Sequence, residues 1–244
     1  MMPTRAEAEK ILEEAEQCNS GPWVNHSRIT AKCAEKIAEL CENLDSEKAY
    51  ILGLLHDIGR KFGVRHLGHV SDGYTYMMSL GYDEVAKICL THSFNNSTVK
   101  EYIGKFDVSD EELELIETAL AKVNMDDYDK LIQLCDALAG SDSVLNIEDR
   151  MRDVKQRYGY YPQEKWNSNI RLKNYFEKKT GNNIYKTVNQ GTAVPIGVEL
   201  FFNSINSRVN IICGIDFRIH IVSLHFAYIS SAGTQTDNKK YTHN

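Results

Sequence analysis

The sequence predicts an all-α helical bundle over most of its length, followed by a short tail of different character. Three observations predict it. Apolar residues recur at helical spacing from the start to about residue 188. Two capping boxes, Thr4 with Glu7 and Ser109 with Glu112, mark helix starts. Charged side chains then thin out, with only seven between residues 189 and 244.

Taken in order, the first helix runs from the Thr4 cap to about Gln17. A second spans Asn25 to about Glu42, with Ile29, Cys33, Ile37 and Cys41 on one stripe. The third begins near Ser46 and carries Ile51, Leu52, Leu54, Leu55 and Ile58. Its apolar residues lie on every side, which implies a central, buried helix. A shorter helix, Val70 to Leu80, stops at Gly81, a residue type suited to a helix end. The next, Asp83 to about His92, aligns Val85, Ile88, Cys89 and His92 on one face. Behind Ser109 comes a helix with Leu113, Ile116, Leu120 and Val123 inward. Tyr128 to Ala139 is strongly apolar yet contains Asp136. Two more helices follow, Ile147 to Tyr158 and Pro162 to Lys179, the last ended by Gly181.

The expected organisation is therefore a helical domain over residues 4–186 and a tail over 189–244. In the tail, Ile215, Phe217, Ile219 and Ile221 alternate with Asp216, Arg218 and His220, a strand signal of period two. The closing GTQTDNKKYTHN has the composition of a disordered end. The tail thus reads as a β-prone or disordered appendage, or as a frame-shifted terminus foreign to the domain before it.

Bulk properties narrow the function. A net charge of -6 argues against a dedicated nucleic-acid binder, which needs a basic face. A local basic pocket for a small phosphorylated molecule is compatible with it. The six cysteines form no CxxC pair, so free thiols in a reducing cytoplasm are expected rather than a disulfide framework. The polar, acidic start is no signal peptide. No apolar run approaches the roughly 18 residues of a membrane span.

One stretch stands out chemically. The apolar run "AYILGLLHDIG" closes on His56 and Asp57. A buried ionised carboxylate is costly unless it is paired or coordinates a metal. Other ligand-type side chains also fall where helices show apolar faces: His26 on the stripe of Ile29, Cys33 and Ile37; His92 beyond Val85, Ile88 and Cys89; Asp136 beside Ile132, Cys135 and Leu138. His69 opens the Val70 helix, with His66 nearby as its rival. Each residue alone reads comfortably as a satisfied core histidine, a cap or an ion-pair member. Together they point to one metal site built from several helices.

The order H … HD … D, with "GPWVNHSRIT", "GLLHDIGRK" and "LIQLCDALAG" around its members, resembles the HD-domain metal-dependent phosphohydrolases. The resemblance covers about residues 4 to 186 and implies that His26, His56, Asp57 and Asp136 hold a first metal. It also implies that His69 and His92 hold a second, with Asp57 bridging and therefore the residue assigned to catalysis. The implied cofactor is one or two divalent ions among Fe, Mn, Co, Ni and Zn, with Mg as a further candidate. The pattern is similar to the branch that hydrolyses diadenosine tetraphosphate. The HHExxDGxGYP-type stretch of the cyclic-di-GMP branch is absent. Acidic residues typical after the HD pair of the guanosine-tetraphosphate branch are replaced by "IGRKFG".

The implied reaction is hydrolysis of a phosphate ester or anhydride, with a small phosphorylated substrate, such as a nucleotide, as the partner. Arg60, just past the HD pair, is the expected phosphate contact; Lys61 and Arg65 read first as solvated surface charge. Asp72, Asp83 and Glu84 are the nearby acids, and nothing in the sequence selects one as a proton donor. A homo-oligomer is compatible with such a chain. Two rival functions share these residues: a di-iron oxygenase of the same fold and a nucleotide-sensing module without turnover.

Overall fold

The structure, a computed structural model, describes residues 1–189. The tail over 189–244, its expected strand at 215–221 and Cys213 lie outside the described residues, Asn189 alone excepted.

Among the described residues ten α-helices follow one another: α1 (Arg5–Cys18), α2 (Pro22–Ala38), α3 (Ser46–Leu55), α4 (Gly68–Ser79), α5 (Asp83–Thr91), α6 (Asp110–Lys122), α7 (Asp127–Leu138), α8 (Ile147–Tyr158), α9 (Gln163–Thr180) and α10 (Ile184–Val188). Short 3-10 turns at Ile58–Phe62 and Val99–Glu101 complete the path. Among the described residues there is no strand, only an isolated bridge between Ala139 and Val144. No described helix is long and apolar enough to cross a membrane. Cys18, Cys33, Cys41, Cys89 and Cys135 are free thiols.

Both predicted capping boxes form. The Thr4 N–H donates to Glu7 Oε2 at 2.7 Å, and Ser109 repeats the arrangement with Glu112. A third, Asp126 with Asp129, opens α7 and escaped sequence reading because its acidic N3 residue is Asp rather than Glu. Helix α2 starts earlier than its apolar stripe suggests. Pro22 sits in its first turn, where its fixed φ suits a helix and its missing N–H costs nothing. The helix also ends earlier, at Ala38, because Leu40 and Cys41 bond back three residues instead of four. The turn at Ile58–Phe62 and helix α10 were also unpredicted, both too short to show a period.

Helix α3 is the centre of the bundle. Asp45 caps it by accepting from the Lys48 N–H at 2.7 Å, and every residue from Ala49 to Leu55 is buried. Burying each large aliphatic side chain stabilises the fold by about 1.5–3 kcal/mol. Helix α2 packs on α3 and reaches α7 and α10, while α4 packs on α5. The α2–α3 approach is close because Gly53 has no side chain: a Cβ there would lie 2.8 Å from Ala31 Cα. A second apolar cluster, including Leu67, Leu90, Phe94, Ile116 and Leu120, joins α6 to α4 and α5. Helices α2, α3, α4, α5 and α7 thereby turn a few polar side chains toward one interior point.

Candidate metal centre

Helix ends place the polar side chains. His56 caps the C-terminus of α3 and His92 that of α5, where the last carbonyls of a helix lack intrahelical partners. The imidazoles use those carbonyls. His56 Nδ1 lies 2.8 Å from Gly53 O, and His92 Nδ1 lies 2.9 Å from Cys89 O. His26 Nδ1 is 3.2 Å from Ala139 O, and His69 Nδ1 bonds His66 O. With Nδ1–H donating to a carbonyl in all four rings, each Nε2 presents a bare lone pair. Metal-ligating histidines are held in this way by a partner on the far nitrogen.

Those lone pairs converge on two carboxylates. His26 Nε2 is 2.9 Å and His56 Nε2 3.8 Å from Asp136 Oδ1. His69 Nε2 is 3.1 Å and His92 Nε2 3.5 Å from Asp57 Oδ1. Two groups can each hold a cation, His26 with His56 and Asp57, and Asp57 with His69 and His92. Asp57 belongs to both.

The donor set fits such ions on two further observations. His56 Nε2 is buried and has no hydrogen-bond partner. The Nε2 atoms of His69 and His92 lie 3.2 Å apart, an opposition of lone pairs that needs a proton or a cation between them. His56, Asp57, His69 and His92 are all under 5 % exposed. Leaving such groups uncompensated in an interior is expensive.

Electrostatics agree with this arrangement. Burial lowers His56 to about 4, so its ring is neutral, the ligating form, at neutral pH. Burial and then Arg60 lower His69. Burial opposes ionisation of Asp57, yet Arg60, His69 and His56 together hold its carboxyl well below the usual range. Asp136 is likewise held low against its burial, chiefly by its bond to His26. Burial would lower His26, but its bond to Asp136 and the nearby Asp57 raise it above the ordinary imidazole value.

The centre opens into a cavity of about 640 Å3, within the size range of ligand pockets. Arg60 lines it. Its Nε donates to Asp57 Oδ2 at 2.6 Å, while no described residue bonds its Nη groups. Trp23 and Tyr158 offer aromatic surface to the cavity, and Arg150 adds charge.

The structure therefore brings together His26, His56, Asp57, His69, His92 and Asp136, with Arg60 beside them. His66 stands at the cavity wall, edge-on to Tyr158, and His69 occupies the cluster. Arg65 reaches the cavity wall but is tied to Asp72 at 2.8 Å and Glu112 at 2.9 Å. Lys61 donates to the Tyr76 hydroxyl at 3.0 Å, away from the cavity. The three acids weighed as proton donors are engaged elsewhere: Asp72 by Arg65, Asp83 by the N-terminal amine and Glu84 by Lys48. Sequence reading missed Arg150, Tyr102 and Lys165. They sit on later segments with no motif of their own, and only the fold carries them to the centre.

A bundle with an interior cluster of imidazoles and carboxylates, open to a basic cavity, defines the class: a helical protein with a centre that could hold a cation. Residues 23–141 match the sequence model of the family described as the HD domain. The fold is an all-α HD-domain bundle, and the match takes in all six residues of the cluster. Neither the curated proteins nor the solved structures gave a match.

Proposed function

We propose that the chain is a metal-dependent phosphohydrolase acting on a nucleotide or similar small phosphorylated metabolite. The observation that carries this reading is the convergence of four backbone-anchored imidazoles on Asp57 and Asp136, with a buried Nε2 left unpartnered. His26, His56, Asp57 and Asp136 would hold one cation; Asp57, His69 and His92 would hold the second. A bound divalent ion supplies Lewis acidity and brings the pKa of water down to about 7. Arg60 fixes the orientation of Asp57, keeps it ionised and turns its Nη groups toward the cavity to receive phosphoryl oxygens. Burial of the histidines on both sides of Asp57 excludes bulk water, which strengthens each of these interactions.

The aromatic surfaces of Trp23 and Tyr158 support a nucleotide, whose base stacks on such rings. Diadenosine tetraphosphate, the substrate of the branch the sequence resembles, heads the compounds to assay. The test is a screen of phosphorylated metabolites with Mn, Fe, Co, Ni and Mg, run with and without oxygen, beside metal analysis of the purified protein. Oxygen-independent phosphate release that follows metal content is expected. Oxygen-dependent cleavage, or saturable binding without product, would replace the reading with an oxygenase or a sensor.

A further inference from the structure

Behind His92 and Tyr102 the cavity continues into an inner chamber of about 130 Å3. At about 30 Å3 per water it holds roughly four waters, the scale of one phosphate or carboxylate group and far below that of a nucleoside. Its wall amides are already engaged. Gln133 Nε2 donates to Thr91 O at 3.0 Å, and Asn169 Nδ2 donates to the Tyr161 hydroxyl at 2.8 Å. Neither of its two cations forms an ion pair with a carboxylate of the chamber wall. Lys165, from the first turn of α9, donates to Ser93 O, and no described carboxylate lies within 4 Å of it. Two carboxylates act on it, and both are committed: Glu101 to the Asn96 N–H and side chain, each at 2.7 Å, and Asp136, which also lines the chamber, to His26 Nε2 at 2.9 Å. Arg150 lines both the inner chamber and the outer cavity. It touches Ala139 O at 3.4 Å and meets only the exposed Asp153, at 3.6 Å.

We propose that Lys165 and Arg150 form an anion subsite in the inner chamber, so that the substrate carries a second small anionic group beside the phosphate at the His/Asp cluster. An ammonium whose neighbouring carboxylates are both committed elsewhere can take a further anion, and a guanidinium at the chamber mouth supplies bidentate recognition. The placement of the two groups relative to one another rests on the hydrolytic reading above; the subsite itself does not. It favours nucleoside di- and triphosphates or phosphorylated acids over simple monoesters.

The test is isothermal titration of inorganic phosphate into the full chain, as purified and after chelator treatment, so that binding at a metal is separated from binding in the chamber. One phosphate is expected to bind the chelator-treated protein. Lys165→Gln and Arg150→Gln should each weaken it about tenfold or more, the loss of a charge-assisted hydrogen bond. Lys165→Arg, which keeps the charge, should retain most of the affinity. Unchanged melting temperatures for the Gln variants would show that the fold is intact, and Arg150→Gln carries the test if Lys165→Gln does not fold. Wild-type affinity in both Gln variants, or no phosphate binding to the chelator-treated wild type at millimolar concentration, would overturn the subsite. Lys165-dependent binding without any turnover would leave the subsite standing and remove the hydrolytic reading alone.

Discussion

Helices α5 and α7 meet twice around polar side chains, and the two meetings differ. At one, Asp129 is fully buried and fully partnered. It accepts from the Thr91 hydroxyl at 2.7 Å, from Lys87 Nζ at 2.7 Å and from the Asp126 N–H at 2.8 Å. About two helical turns along α7, Asp136 joins a set in which one imidazole nitrogen has no partner and two others face each other with lone pairs. The first cluster is complete as protein. The second is complete only with something added. Buried polarity by itself therefore does not identify a site; unsatisfied, convergent polarity of one chemical type does.

The sharpest way to break this comparison is to remove a ligand-type residue from the incomplete set. His56→Ala or Asp57→Ala should eliminate bound metal and reduce phosphate release by more than about 100-fold, beyond the loss typical of residues that only orient metal ligands. Metal analysis and turnover of the purified variants read this directly; wild-type turnover in either variant contradicts the reading.

The complete cluster should respond in the opposite currency. Asp129→Ala strands the Asp126 N–H, leaves the Thr91 hydroxyl with Lys87 O alone at 2.9 Å, and leaves Lys87 with Asp126 alone at 2.8 Å. It should lower unfolding stability by about 2 kcal/mol while leaving metal content per folded molecule unchanged. Urea titration with metal analysis measures both.

Gly59→Ala probes the joint between the two behaviours. A Cβ at Gly59 would lie 2.0 Å from His69 O and 2.5 Å from Gly73 N, backbone atoms of α4 that cannot swing away. Moving the 3-10 turn from α4 displaces His69 relative to Asp57. A stability loss of about 2 kcal/mol is expected, together with weaker metal binding. Stability loss with metal affinity untouched would show that His69 is not positioned through this contact.

The smallest effect concerns Asp127, whose carboxylate bonds Lys179, Lys130 and Tyr175. Its burial raises the pKa, but these partners, Lys179 first, hold it far below the ordinary carboxylate value. A depressed folded-state pKa contributes stability above the unfolded value of about 3.9, lost as pH falls below it. Asp127→Asn should thus cost about 1 kcal/mol at pH 7, with the gap to wild type closing between about pH 4 and pH 2. A gap independent of pH would assign the effect to packing.

How much of this was legible from the chain depends on what kind of signal each part leaves. The helices with caps and long apolar stripes were readable, because Thr4, Ser109, Gly81 and Gly181 act locally. The 3-10 turn at Ile58–Phe62 was not, since its form follows from Gly59 pressing against α4, a contact distant in sequence. Among the residues expected at the site, each His or Asp interrupts an apolar face, and that anomaly is visible without coordinates. Choosing His69 over His66 required the fold, because both lie at the same turn. Lys165 and Arg150 left no trace in sequence: cations on polar helices look like solvated surface until packing encloses them.

One consequence follows from the way the imidazoles are aimed. Their far nitrogens lean on main-chain carbonyls of Gly53, Cys89, His66 and Ala139, which persist whatever side chain those positions carry. Lining residues such as Trp23, Tyr158 and Lys165 have no part in that aiming. Mutation can therefore re-tailor what the pocket accepts while the aim of the imidazoles stays put, so the proposed chemistry and its selectivity are free to diverge at different speeds.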